Sequence, residues 1–101
     1  MVIIAKSALT RFALRHKDTI VPLKEWYDTV SNVDWSNIND VKMTFNSADY
    51  VGNERFVFNI KGNRYRLVAA VIFSIRTVYI KFIGTHAEYD NIDVKTIEFK
   101  Q

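Results

Sequence analysis

The sequence predicts one α+β domain, an N-terminal helical hairpin packed on a curved antiparallel β-sheet. Three observations predict it. Apolar residues in the first third recur at three- and four-residue spacing, the period of a helix face. The stretch from Arg55 to Ile83 is rich in β-branched and aromatic residues broken by short turn signals. The length, 101 residues, is enough for one domain spanning 1–101 and too short for two.

Taken in order, Val2-Ile3-Ile4 is a short β-prone run suited to an edge or first strand. Ala5, Ala8, Leu9, Phe12 and Ala13 then form one apolar helical stripe, with Lys6, Arg11, Arg15 and Lys17 off it on a solvated face. Asp18 or Thr19 is placed to cap a second helix, with Pro22 in its first turn, where a missing N–H is tolerated. Ile20, Leu23, Tyr27 and Val30 make its stripe, widened by Trp26 and Val33. A linker this short predicts an antiparallel hairpin, and the later sheet is the apolar surface available to it.

Residues 34–54 read as irregular, with Asp34, Ser36, Asn37, Asn39 and Asp40 as turn formers. Ile38, Val41 and Met43 are spaced for one helical turn, and Trp35 and Phe45 read as pins to the core rather than as exposed stacking platforms. Arg55–Ile60 is a strand, Lys61-Gly62-Asn63 a tight turn, Arg64–Phe73 a long strand, Ser74–Thr77 a turn and Val78–Ile83 a further strand. Residues 91–101 read as a weak final strand or tail anchored by Val94, Ile97 and Phe99.

Composition excludes several classes of function. There is no cysteine, so disulfides and thiolate metal sites are ruled out, which fits a reducing cytoplasm. Two histidines are too few for a closed histidine metal site. No apolar run approaches the roughly 20 residues of a membrane span, and Lys6 ends the apolar Val2–Ala5 run too early for a signal-peptide core.

The charge is unevenly placed. Residues 1–54 carry six Lys/Arg and seven Asp/Glu, whereas residues 55–101 carry eight and four. From Arg55 through Ala87 there are six cations (Arg55, Lys61, Arg64, Arg66, Arg76, Lys81) and no acid. Such a surface suits a polyanion. By the two-residue period of a strand, Arg64 and Arg66 share the face away from the helices, and Tyr79, Lys81 and Ile83 share one face of the next strand. With Lys81 on the arginine side, three cations converge. Guanidinium grips phosphate bidentately, and ammonium acts as a point charge.

Thr85-His86-Ala87-Glu88-Tyr89-Asp90 follows that strand. Histidine is the side chain most readily exchanged between acid and base near neutrality, and tyrosine stacks on bases or gives up a proton. Glu88 is placed either to orient His86 or to cap a local turn. The plain alternative is that His86 and Tyr89 simply close the end of the sheet. These residues alone lead to a polyanion-binding surface.

Asn63-Arg64-Tyr65-Arg66-Leu67-Val68-Ala69 followed by Tyr79-Ile80-Lys81-Phe82-Ile83-Gly84-Thr85-His86-Ala87-Glu88-Tyr89-Asp90 resembles the HigB toxins, a branch of the RelE-like toxins of bacterial type II toxin–antitoxin modules. The Phe56–Ile60 strand and the N-terminal helix pair match in order and length, so the resemblance spans essentially the whole chain. Thr-His-x-Glu-Tyr-Asp is its most specific part. The resemblance implies a RelE-like microbial RNase fold and a cytoplasmic endoribonuclease that cuts mRNA, typically on the translating ribosome, without metal or other cofactor. The RNA 2′-OH attacks the adjacent phosphorus, leaving a cyclic phosphate and a free 5′-OH. It implies Arg66 as the phosphate-contacting strand arginine, His86 as general acid or base, and Tyr89 as a residue that stacks on the scissile nucleotide or assists proton transfer. Lys61, Arg64 and Lys81 become RNA contacts. The implied partner is a HigA-type helix-turn-helix antitoxin, with DNA bound only through it. A non-catalytic RNA-binding domain, or a degenerate toxin acting through its antitoxin, shares the same cations but assigns no chemistry to His86.

Overall fold

A computed structural model describes residues 1–99 of the chain. Its centre is a meander of strands β3 (Arg55–Ile60), β4 (Tyr65–Ile72) and β5 (Thr77–Thr85). Both ladders are antiparallel, running from Arg55↔Ala70 to Ile60↔Tyr65 and from Ile72↔Thr77 to Tyr65↔Thr85. The alternation of Tyr65, Leu67, Ala69 and Val71 puts these four side chains into one buried cluster with Phe56, Phe58, Val78 and Ile80. Onto that cluster pack helices α1 (Lys6–Arg15) and α2 (Ile20–Asn32). They contribute Ala8, Leu9 and Phe12 from the first and Leu23, Trp26 and Val30 from the second. Lys6, at the start of α1, lies over the ring of Tyr27, late in α2.

The fold class is α+β, compatible with a RelE-like fold, but the sheet is mixed rather than wholly antiparallel. Strand β1 (Val2–Ile4) pairs parallel with β5, giving the order β1-β5-β4-β3-β2. A parallel neighbour needs a crossover rather than a hairpin, and here everything between β1 and β5 supplies it. Residues 34–54 are also more ordered than their composition predicts. Asn37 accepts from the Asp40 N–H at 3.0 Å and caps helix α3 (Ile38–Thr44), so residues that read as turn formers act as a helix start. Strand β2 (Asp49–Gly52) then pairs with the outer edge of β3, an edge position that tolerates poor strand formers. Trp35 is buried, its ring centroid 6.4 Å from that of Phe58, so it pins this segment to the core.

Two local expectations change. Thr19 stands at the N-cap position of α2, as one of the two expected candidates, but neither its side chain nor that of Asp18 makes a cap bond. Lys17–Thr19 form a 3-10 turn in which the Thr19 hydroxyl donates to the His16 carbonyl at 2.6 Å, and Asp18 turns towards β4. Lys81 is the extra residue of a bulge, for Val68 pairs with Phe82 while Ala69 pairs with Ile80. The bulge shifts the alternation by one. Tyr79 and Phe82 therefore lie opposite the far-face residues Ala70 and Val68, while Ile83 lies opposite Leu67 and packs against the core. After the last helix the chain returns across the far face without forming a strand among the described residues. Ile92, Val94, Ile97 and Phe99 are its half-buried positions, and residues 100–101 of the expected tail lie outside the described part. No helix among the described residues is long and apolar enough to cross a membrane.

Candidate active site

The β3–β4 connection is tight because Lys61 and Gly62 both take positive φ, 52° and 63°, and the Arg64 N–H closes it on the Lys61 carbonyl at 3.3 Å. That turn brings Tyr65 and Arg66 opposite Thr85 and Gly84 at the end of β5. Thr85 then starts helix α4 (His86–Tyr89) with a complete capping box. Its hydroxyl accepts from the Glu88 N–H at 3.1 Å, and the Glu88 carboxylate accepts from the Thr85 N–H at 2.8 Å. The His86 N–H donates to the Arg64 carbonyl at 3.1 Å, tying α4 to β4.

The two roles open to Glu88 are thereby resolved, since its carboxylate is used by the cap. The carboxylate beside His86 is that of Asp90, with Oδ2 3.3 Å from Nδ1. This leaves the imidazole half exposed, at 51 %, and Nε2 free of that contact. Tyr89, in the same turn, is half-buried. Arg66 is also half-buried. Its Nη1 donates to the Asn63 and Tyr65 carbonyls at 3.1 and 3.3 Å, and its Nη2 donates to Asn63 Oδ1 at 3.0 Å.

The other cations of the acid-free stretch are paired with acids from elsewhere in the chain. Asp18 Oδ2 lies 3.6 Å from Lys61 Nζ and 3.4 Å from Arg64 Nη1. The Tyr65 hydroxyl donates to both oxygens of the same carboxylate at 2.8 and 2.9 Å. The bond from Tyr65, with Lys61 and Arg64 beside it, holds the Asp18 carboxyl below its usual range, and the same bond pushes the Tyr65 hydroxyl up. On the far face Glu98 bridges Lys81 and Arg55 at 2.7 Å each, and the bonds from Lys81 and then Arg55 hold its carboxyl low. Buried Arg55 also donates to the Val94 and Ile97 carbonyls at 3.2 and 2.5 Å, strapping the C-terminal segment down. Arg76 meets Asp34 at 2.5 Å.

Arg64, Arg66 and Lys81 therefore do not converge as one cluster. Arg64 and Lys61 lean on Asp18, Lys81 on Glu98, and Arg66 alone in the stretch has no carboxylate partner among the described residues. Arg66, His86 and Tyr89 are brought to one end of the sheet by the Arg66↔Gly84 register and the cap on Thr85. Sequence reasoning missed Asn63, Gly84 and Asp90 as neighbours of these residues, and Asp18 and Glu98 as counter-ions. The acid-free run itself was the available signal, because cations packed on a sheet need counter-charges from outside it.

Comparisons with known proteins identify the family. The family model for HigB toxin, described as the RelE-like toxic component of a toxin–antitoxin system, matches residues 20–92, from α2 through α4. An mRNA interferase HigB of Escherichia coli O6:H1 (strain CFT073) is 27% identical over 94 residues, 91% of each chain. The mRNA interferase toxin HigB of Escherichia coli K12 is 34% identical over 79 residues, 75% of this chain and 72% of its own. An mRNA interferase HigB of Shigella flexneri shows the same 34% over 79 residues. The matched span contains the entire β3–β4–β5–α4 unit that carries Arg66, His86 and Tyr89, and the chain belongs to the HigB toxin family, the RelE-like toxic components of toxin–antitoxin systems.

Proposed function

We propose that this toxin is a metal-independent endoribonuclease that cleaves mRNA at the end of the sheet formed by Arg66, Gly84 and α4. The observation that carries the reading is the state of Arg66. It is the one cation between Arg55 and Ala87 whose charge is not already met by a carboxylate among the described residues, and it lies two strand positions from the capped turn holding His86. A phosphate with its negative charge is the natural complement of such a guanidinium.

The reaction needs three services. A base takes the proton from the RNA 2′-OH as its oxygen attacks the adjacent phosphorus. Cations and donors stabilise the phosphorane oxygens. An acid then gives a proton to the departing 5′-oxygen, leaving a 2′,3′-cyclic phosphate and a 5′-OH. Arg66 is assigned to the phosphorane, its planar fork released from the Asn63 and Tyr65 acceptors to meet two oxygens. His86 is assigned to proton transfer through Nε2, with Asp90 at Nδ1 orienting the ring. Tyr89 lines the same turn and is assigned to the scissile nucleotide, by stacking or by assisting proton transfer. Lys61, Arg64 and Lys81 are peripheral contacts to RNA. As a toxin of this family the chain has an antitoxin partner; we assign it to the HigA helix-turn-helix type, with any DNA contact made through it. The ribosome is the proposed setting of cleavage, in the cytoplasm.

The test is induced expression without antitoxin, with mRNA 5′ ends mapped with and without translation. New 5′-OH ends and growth arrest that vanish in Arg66→Ala and His86→Ala, with both variants folded, support the enzyme. Full toxicity in both variants, or RNA binding without new ends, favours a non-catalytic RNA-binding domain.

A further inference from the structure

Asp18 is not used by the chemistry above, yet it is the most heavily engaged acid in the described structure. It sits in the 3-10 turn between α1 and α2 and reaches across to the β3–β4 turn. There it meets three groups: the Tyr65 hydroxyl at 2.8 and 2.9 Å, Arg64 at 3.4 Å and Lys61 at 3.6 Å. The contacts differ in kind. Tyr65 is 7% exposed and bound through both carboxylate oxygens, so it fixes where Asp18 sits. Arg64 and Lys61 have side chains 66% and 40% exposed and lie at the long end of the ion-pair range. They are held loosely, in water, by a carboxylate that is itself held firmly. The His16 ring, 5.5 Å from that of Tyr65, is the remaining titratable neighbour. Asp18 also lies just outside the residues 20–92 that the family model covers.

We infer that Asp18 is a built-in competitor for the RNA backbone, a fixed counter-charge that keeps Lys61 and Arg64 from gripping phosphate at full strength and so sets how tightly the toxin holds RNA. The geometry separates two functions in one residue. The bond to Tyr65 belongs to the fold, since it ties the helix connection to the first residue of β4. The charge belongs to the surface, since the two exposed cations it faces sit one and four residues before Tyr65, in the turn that leads to Arg66. An arriving phosphate must displace a carboxylate that cannot leave, so each contact is worth less than that of a free cation. The inference rests on RNA being the substrate.

Asp18→Asn tests it, because the amide oxygen still accepts from Tyr65 while the charge is gone. The probe is a short single-stranded RNA methylated at every 2′-oxygen, which lacks the attacking hydroxyl, with affinity measured from low to high salt. Each phosphate newly neutralised on a single strand steepens the slope of log K against log salt by about 0.7, roughly fivefold in affinity at 0.1 M relative to 1 M salt. Asp18→Asn is expected to bind more tightly and to steepen the slope by about 0.7 to 1.4, one or two contacts. Tyr65→Phe keeps the charge but releases the carboxylate from its anchor, so its slope should fall between those of the wild type and Asp18→Asn. Adding Lys61→Gln and Arg64→Gln should abolish the gain. An unchanged or shallower slope in folded Asp18→Asn overturns the inference while leaving ribonuclease activity untouched. Should the variant not fold, the Asp18 carboxyl can be followed by NMR in the wild-type toxin. Its titration should move upward when the probe RNA is saturating, and an unmoved titration overturns the inference equally. Wild-type toxin that neither binds the probe at low salt nor cleaves mRNA removes the ribonuclease reading and this inference together.

Discussion

Arg66 and Gly84 face each other across the β4–β5 ladder, so the one cation of the basic stretch without a carboxylate partner among the described residues stands opposite a residue with no side chain. The missing Cβ at Gly84 leaves room for the Phe82 ring and the Glu88 carboxylate that caps α4. Because Arg66 bonds only to its own turn, at Asn63 and Tyr65, replacing it removes little that the rest of the fold relies on. Arg66→Ala should lower mRNA cleavage by about 10²–10³-fold, the usual loss when one donor to a developing charge is deleted. Arg66→Lys should recover only part of it, because an ammonium is a single point donor. Cleavage of a defined message in a translation extract, beside a thermal melt, reads both. A melt as strongly affected as the activity would show that Arg66 is structural instead.

Gly84 carries its own prediction. A Cβ there would lie 2.5 Å from Cζ of Phe82, 3.0 Å from its Cε2 and 3.1 Å from the Glu88 carboxylate oxygen that caps α4. Gly84→Ala must push the Phe82 ring off the strand end and disturb the cap. A loss of about 1–3 kcal/mol is expected from overpacking of this kind, together with reduced cleavage. Phe82→Ala in the same chain should return part of the stability, since the two changes share one contact. Strict additivity in urea unfolding of the two single variants and the double would contradict the packing account.

These two positions also show how far the sequence was readable. The meander, the α1 and α2 faces and the turn at Lys61–Asn63 follow from period and turn chemistry, which are local. Which acids meet which cations is not local. Asp18 meets Tyr65 across 47 positions and Glu98 meets Arg55 across 43, and nothing in either neighbourhood announces the pairing. The bulge at Lys81 is a further case. One inserted residue reverses the face of everything beyond it, so a strict two-residue alternation placed Ile83 with Tyr79 although they lie on opposite faces. Strand β2 escaped because Asp49 and Gly52 are poor strand formers, tolerated where only one neighbour has to be satisfied. At the candidate site, Arg66, His86 and Tyr89 were reached through resemblance, whereas Asp90 rather than Glu88 as the histidine partner required the capping box to be seen.

That capping box separates structural from chemical roles in α4. Thr85→Ala removes the side-chain acceptor for the Glu88 N–H and should cost about 1 kcal/mol, as cap deletions commonly do. His86→Ala touches no cap bond, since its backbone N–H remains on Arg64, and should leave stability near wild type while abolishing cleavage. Asp90→Asn should fall between, slowing cleavage without stopping it, because it alters the orientation and charge beside Nδ1 only. A folded His86→Ala variant that still arrests growth on induction would remove His86 from the chemistry.

The Asp18–Tyr65 bond should shape stability at both ends of the pH scale. Asp18 is held below its ordinary 3.8, first by the Tyr65 bond and then by Lys61 and Arg64. A carboxyl depressed in the folded state gives stability that is complete above that ordinary value and is lost as pH falls through the lower folded one. Tyr65 is pushed above its ordinary 10.0 by the same bond, so its share is complete below that value and is lost as pH rises through the higher folded one. Glu98, held below 4.5 by Lys81 and then Arg55, adds to the acid side alone. Tyr65→Phe should therefore flatten the alkaline fall and soften the acid one. Glu98→Gln should soften the acid fall and leave the alkaline fall as it is. Asp18→Asn should weaken both, because the alkaline shift of Tyr65 depends on the carboxylate that accepts its hydrogen bond. Urea midpoints followed from about pH 3 to about pH 11 measure all three. An alkaline limb identical in wild type and Asp18→Asn would mean that Tyr65 is held by burial rather than by Asp18.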